Sequence, residues 1–138
     1  MADLNNIFDI AGRSMSAQMV RLNTVASNLA NANSVSSSTD EAYRAIRPVF
    51  ETSYADAAGK SGLATVDVAE IVALDREPMR IFEPGHPSSD KDGFIYQAAV
   101  DTEEEMIEMM EASRQYQNTV EVVSTLRSLM MRTVNMGQ

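Results

Sequence analysis

Residues 23–34, NTVASNLANANS, put four asparagines among alanine and serine, yet they continue a helical pattern. Read back from this stretch, apolar or small residues recur at alternating steps of four and three: Leu4, Phe8, Ala11, Met15, Leu22, Val25, Leu29 and Ala32, with Gln18 the exception. That spacing is a heptad seam. Ile7, Ile10, Met19 and Ala26 widen the stripe, so the helix is expected to pack against more than one neighbour. At its end two readings stand. Asn28, Asn31 and Asn33 can stop the helix locally, or they can bond a neighbour's backbone while Ala26, Ala30 and Ala32 let another helix approach closely.

The C-terminal third repeats the design. Met106, Met109, Ser113, Tyr116, Val120, Val123 and Met130 form one stripe, and Ile107, Met110, Val122, Leu126 and Leu129 an adjoining one. Thr102 followed by Glu105 fits a capping box, and Glu103 and Glu104 suit the positive end of a helix dipole, as Arg127 and Arg132 suit the other end. The acidic run 101–111 therefore reads as a solvated, dipole-matched face rather than a cation site.

Between the helices the pattern changes. Residues 34–40 (SVSSSTD) form a polar connector. Residues 43–51 (YRAIRPVFE) and 64–74 are rich in β-branched and aromatic residues, with Pro48 confining the first to a sheet edge or bend. Gly59, Lys60, Ser61 and Gly62 separate them as a turn, and 79–83 and 94–100 are two further extended segments. The predicted fold is mainly α: two long terminal amphipathic helices form a coiled-coil-like pair around a small β-rich insert. The predicted division is 1–33, 34–100 and 101–138, the first and last together forming an assembly core.

Chemistry has little to stand on in this chain. Asp90, Lys91, Asp92 and Gly93 resemble part of an EF-hand calcium loop. With Gly93 at the sixth position, however, the twelfth falls on Ala99, where a bidentate glutamate is required. His86 is the sole histidine, and no cysteine is present to join it. No nucleophile elbow, phosphate loop or dinucleotide fingerprint occurs. No catalytic residue, metal or cofactor is expected.

The 138 residues suffice for one domain, and 44% apolar content is globular. A net charge of −9 repels phosphate backbones and anionic lipid, which argues against nucleic acid. No apolar run reaches the roughly 18 residues of a membrane span, and the first residues, interrupted by Asp3, Asp9 and Arg13, lack a signal-peptide apolar region. Neither membrane insertion nor a cleaved signal is expected.

Three segments carry a likeness. Residues 27–34 (SNLANANS), closing the N-terminal seam, and 110–118 (MEASRQYQN), with Arg114, Tyr116 and Asn118 at matching places, resemble the flagellar rod and hook family of bacterial axial proteins. Residues 43–51, 82–87 (FEPGHP) and 92–96 (DGFIY) are similar to its proximal-rod branch in particular, as is the Ser/Thr-rich connector before Tyr43. The resemblance spans nearly the whole chain. It implies a structural, non-catalytic subunit whose terminal helices pack in coiled-coil layers. These would build a hollow helical tube of like and unlike subunits, the axial drive shaft that transmits torque. It further implies a periplasmic rod reached through the flagellar type III export channel. The implied partners are other proximal rod subunits, the adaptor between membrane ring and export gate, and the distal rod.

With that likeness the asparagine stretch reads as an intersubunit contact. The residues expected there are Leu22, Val25, Asn28, Leu29 and Asn31 on the first helix. Those on the second are Met110, Arg114, Tyr116, Asn118, Val123, Leu126 and Met130. Two readings compete: a self-contained helical hairpin with a β insert, and a soluble or secreted adaptor that docks one partner through its seam. The doubled stripes exceed what one hairpin buries, which favours association. A small acidic enzyme or cation binder would have to work through Asp90 and Asp92 or Glu103 to Glu105.

Overall fold

The computed structural model describes residues 2–54 and 64–136. Helix α1 (Ala2–Asn31) and helix α2 (Thr102–Met136) flank five strands: β1 (Val35–Ser36), β2 (Ile46–Tyr54), β3 (Ala64–Ala73), β4 (Met79–Phe82) and β5 (Phe94–Gln97). This is the mainly α architecture with a β-rich middle that the patterning predicts. The predicted turn at Gly59 to Gly62 lies outside the described residues. β1 is an addition, formed where the polar connector pairs Val35 with Gln97 and Ser36 with Tyr96.

Both helix boundaries have identifiable causes. At the end of α1, Asn31 Nδ2 donates to the Ser27 carbonyl at 2.8 Å, and Ser34 Oγ to the Asn31 carbonyl at 2.7 Å. These bonds satisfy acceptors that the helix leaves open. At the start of α2 the capping-box expectation is corrected. Asp101, not Thr102, is the cap: its Oδ1 accepts from the backbone N–H groups of Glu103 and Glu104 at 3.0 and 3.2 Å. Glu105 does not fold back onto the helix start, because its side chain is committed elsewhere.

The helices run antiparallel, as three cross-links show. Gln18 faces Gln115, Arg21 faces Glu108, and Asn28 faces Glu105. On α1 the predicted seam is the inward one, from Phe8 and Ala11 to Leu29 and Ala32. On α2 the inward seam is Glu105, Met109, Ala112, Tyr116, Thr119, Val123, Leu126 and Met130, every one buried or half-buried. It takes members from both predicted stripes and leaves Met106, Ile107, Met110, Val120, Val122 and Leu129 outside.

The opposite face of α1 carries the antiparallel β2–β3 hairpin, paired from Ile46↔Ala73 to Tyr54↔Ala64. A shift in register between Val49 and Phe50 leaves Ala69 unmatched, a β-bulge. Pro48 is tolerated because a two-stranded sheet has a free edge on each side. Arg13 of α1 clamps the hairpin through Asp67 at 3.1 Å. A second antiparallel sheet, in the order β1-β5-β4, completes the insert.

Among the described residues the apolar core is narrow: eight of its ten members are alanine, the others being Val25 and Ile95. Such a core joins backbones closely but shields few large side chains. The chain exposes 9568 Å², against about 7,100 Å² for a compact monomer of this mass. The large apolar side chains accordingly lie on the surface.

Candidate functional site

The most constrained side chain in the asparagine stretch is Asn28, with no exposed surface. Its Nδ2 donates to the Ile46 carbonyl at 2.9 Å and to Glu105 Oε2 at 3.0 Å. Its Oδ1 accepts from Ile46 N–H and from the Tyr43 hydroxyl, both at 2.9 Å. Two donors and two lone pairs are thus all used. The hydrogen-bonding capacity of Asn28 is filled inside the chain. Val25 is likewise fully enclosed, because both residues sit where α1 meets α2 and the hairpin.

Glu105 extends this node. It is fully buried, and its Oε1 lies 2.6 Å from Arg47 Nη1, a close ion pair between β2 and α2. Arg47 also approaches Glu104 at 3.3 Å, and Arg76 grips the same carboxylate at 2.7 and 3.0 Å. The hydrogen bonds from Arg76 hold the Glu104 carboxyl below its usual range, and the same bonds raise the Arg76 guanidinium. Farther along, Arg21 binds Glu108 at 2.5 Å with Glu111 at 3.6 Å. Gln18, the break in the heptad pattern, donates to Gln115 at 2.8 Å. The acidic run is therefore not merely a solvated face: Glu104, Glu105, Glu108 and Glu111 bind arginines from three other elements. Sequence reading noticed the acids but not their bases, which lie up to 90 positions away.

The outer surface of α2 differs in kind. Within this 35-residue helix only Glu105 and Ala112 are fully buried. Met106, Ile107, Met110, Val122, Leu129, Met131 and Val134 each expose more than half of their surface. Ile107, Met110, Arg114, Asn118, Val122 and Leu129 lie along one side of the helix at helical spacing. Of the predicted contact residues, Met110, Arg114 and Asn118 are exposed on this side. Leu22, Leu29, Asn31, Tyr116, Val123, Leu126 and Met130 are half-buried along the helical pair. Arg114 and Arg132 lie on this side without an ion pair among the described residues, as does Glu121, so the outer side combines apolar surface with charges of both signs.

The loop before β5 is occupied with its own geometry. Asp90 Oδ1 accepts from the backbone N–H of Asp92 at 2.9 Å and of Phe94 at 2.8 Å, and the Phe94 bond holds its carboxyl below the usual range. Gly93 follows at φ 82°, the left-handed conformation this turn requires. His86 Nδ1 accepts from Ser88 N–H at 3.0 Å, as a turn residue. Among the described residues no group of three His, Asp or Glu side chains is placed to hold a metal ion.

Comparison with known proteins joins these features to a family. Residues 8–36 match the family model described as flagella basal body rod protein. Residues 91–136 match that of the flagellar basal body rod FlgEFG protein C-terminal region. Over 135 residues, 98% of each chain, the sequence is 44% identical to the flagellar basal-body rod protein FlgC of Escherichia coli O6:H1. It is 42% identical over the same length and share to FlgC of Salmonella typhimurium. To FlgC of Aquifex aeolicus it is 32% identical over 133 residues, 96% of each chain.

Proposed function

The chain belongs to the FlgC family of flagellar basal-body rod proteins, and from that premise we propose that the outer side of α2, with the adjoining surface of α1, forms the contacts that build the rod. The protein is a structural subunit of the proximal rod, not an enzyme, and it assembles with other flagellar rod components. The observation that carries the proposal is the apolar outer side of α2, on a chain whose surface exceeds that of a compact monomer of its mass by about a third.

In this reading Met110, Arg114 and Asn118 meet a neighbouring subunit directly. Leu22, Leu29, Asn31, Tyr116, Val123, Leu126 and Met130 contribute the flanking surface they leave exposed. Val25 and Asn28 act from inside the chain. Residues 1–33 and 101–138 form the assembly core, and 34–100 is an insert carried on it. The partners are further proximal subunits, the adaptor at the membrane ring and export gate, and the distal rod. The resulting hollow tube lies in the periplasm, is reached by flagellar type III export and transmits torque. Adaptable methionines suit surfaces that meet unlike neighbours: six of the chain's ten lie between Met106 and Met136.

Protease protection tests the assignment. In isolated basal bodies 1–33 and 101–138 are expected to resist cleavage that the free chain permits; equal protection in the two states would contradict it.

A further inference from the structure

We propose that Asn28 is a positioning residue, locking the β2–β3 hairpin to the helical pair so that helices and hairpin enter the rod as one rigid body. The part concerning the rod rests on the reading above that the helices assemble; the lock itself is a property of the single chain.

The geometry points this way because few interlocking side chains fix the hairpin's angle, and among the described residues Asn28 is the one side chain on α1 that bonds both β2 and α2. The hairpin meets α1 beside Ser16, Ala17 and Val20, small or short side chains that give few large knobs to interlock. Orientation then depends on polar links with defined directions. One is the exposed Arg13–Asp67 pair. The others converge where β2 meets α2: Arg47 pairs with Glu104 and Glu105, and Asn28 bonds both backbone polar groups of Ile46, the first residue of β2, and at the same time the carboxylate of Glu105. One primary amide thus joins three elements.

No other residue type fills the role. Aspartate lacks both donors and would set a second carboxylate against Glu105; leucine has neither donor nor acceptor; glutamine carries its amide one methylene farther out, in a site without exposed surface. Tyr43 and Arg47 close the node from either side, the first onto Asn28 Oδ1 and the second onto Glu105.

The test reads amide exchange at Ile46 by NMR in the full chain, because the acceptor of its N–H is the Asn28 side chain. In Asn28→Ala, Ile46 exchange is expected to rise about tenfold or more, the loss of one buried hydrogen bond. Amides near Gln18, farther along the seam, should change less than about twofold. Residual dipolar couplings should show the hairpin reoriented or averaged relative to the helices. Asn28→Asp alone should open the node at neutral pH. Combining it with Glu105→Gln should restore Ile46 protection in part, since the 28–105 contact re-forms with donor and acceptor exchanged while the Ile46 carbonyl stays without its amide donor.

Unchanged Ile46 exchange in Asn28→Ala, or a double variant no better protected than Asn28→Asp, would overturn the lock. The second comparison decides the matter if Asn28→Ala does not fold. Normal incorporation of Asn28→Ala into basal bodies, with its hairpin loosened, would overturn the rigid-body role while leaving the assembly surface of α2 untouched. If α2 proves unprotected in basal bodies while the Ile46 results hold, the assembly reading fails and the lock stands.

Discussion

Arg47 of β2 and Glu105 of α2 meet at 2.6 Å, with the Glu105 side chain 1% exposed and that of Arg47 17% exposed. A carboxylate so enclosed is tolerable only while its partners remain. Arg47→Ala should therefore lower stability by about 3 kcal/mol. Glu105→Gln, which keeps an acceptor and adds a donor, should cost less. Urea denaturation midpoints of the two variants would check this ordering, and equal, negligible shifts would refute it.

The outer side of α2 should behave oppositely. Met110 is 63% exposed and Leu129 54%, so Met110→Asp or Leu129→Asp removes no core packing and should change the stability of the free chain by no more than about 0.5 kcal/mol. Each variant should nevertheless lose rod assembly and swimming, since a carboxylate would enter a desolvated contact. Thermal melts of the free chain beside motility of complemented cells separate the two effects.

Acid should loosen the chain through two carboxylates. The guanidinium of Arg76 depresses Glu104, and the Phe94 N–H depresses Asp90. A group depressed in the folded state contributes stability that is fully present above its unfolded value, here 4.5 and 3.8. The contribution is lost as pH falls through the lowered folded value. Urea midpoints should hold from pH 7 down to about 5 and fall below that. Glu104→Gln should flatten part of the fall, and an unaltered acid limb would count against the assignment.

Gly93→Ala should destabilise the loop before β5. A Cβ there would lie 2.9 Å from Pro84 Cβ and 3.0 Å from Phe82 Cε2, on a backbone already at positive φ. The left-handed conformation alone costs roughly 1–2 kcal/mol for a residue with a side chain. Thermal denaturation would show a melting temperature lowered by several degrees; an unchanged value would mean the turn relaxes.

The elements of the fold were readable where periodicity repeats over several turns or strand residues. The seam from Phe8 to Ala32 is the inward one, and the four longer strands fall where β-branched residues cluster. On α2 the pattern was ambiguous, because methionine, valine and leucine occur on all sides, and only the pairing with α1 selects Ala112 and Thr119 over Met110 and Val120 as inward. The node was not legible. Asn28 and Glu105 lie 77 positions apart, and an asparagine in an alanine-rich helix end has the same appearance whether it stops the helix, meets a neighbour or holds a strand. Asn31 does stop the helix; Asn28 holds the strand. One signal was present: Glu105 stands in an acidic run four residues before Met109, a d-to-a step from a member of the predicted stripe, where an unpaired charge is unfavourable, and an arginine partner could have been sought.

The assembly surface can be tested most directly with one thiol. The chain has no cysteine, so Met110→Cys introduces a single reactive site on the outer side of α2. Maleimide labelling of that site, read by mass spectrometry, should be complete in the free chain and at least about tenfold slower in intact basal bodies, where a neighbouring subunit covers it. Equal labelling in both states would contradict the proposal that this side of α2 builds the rod.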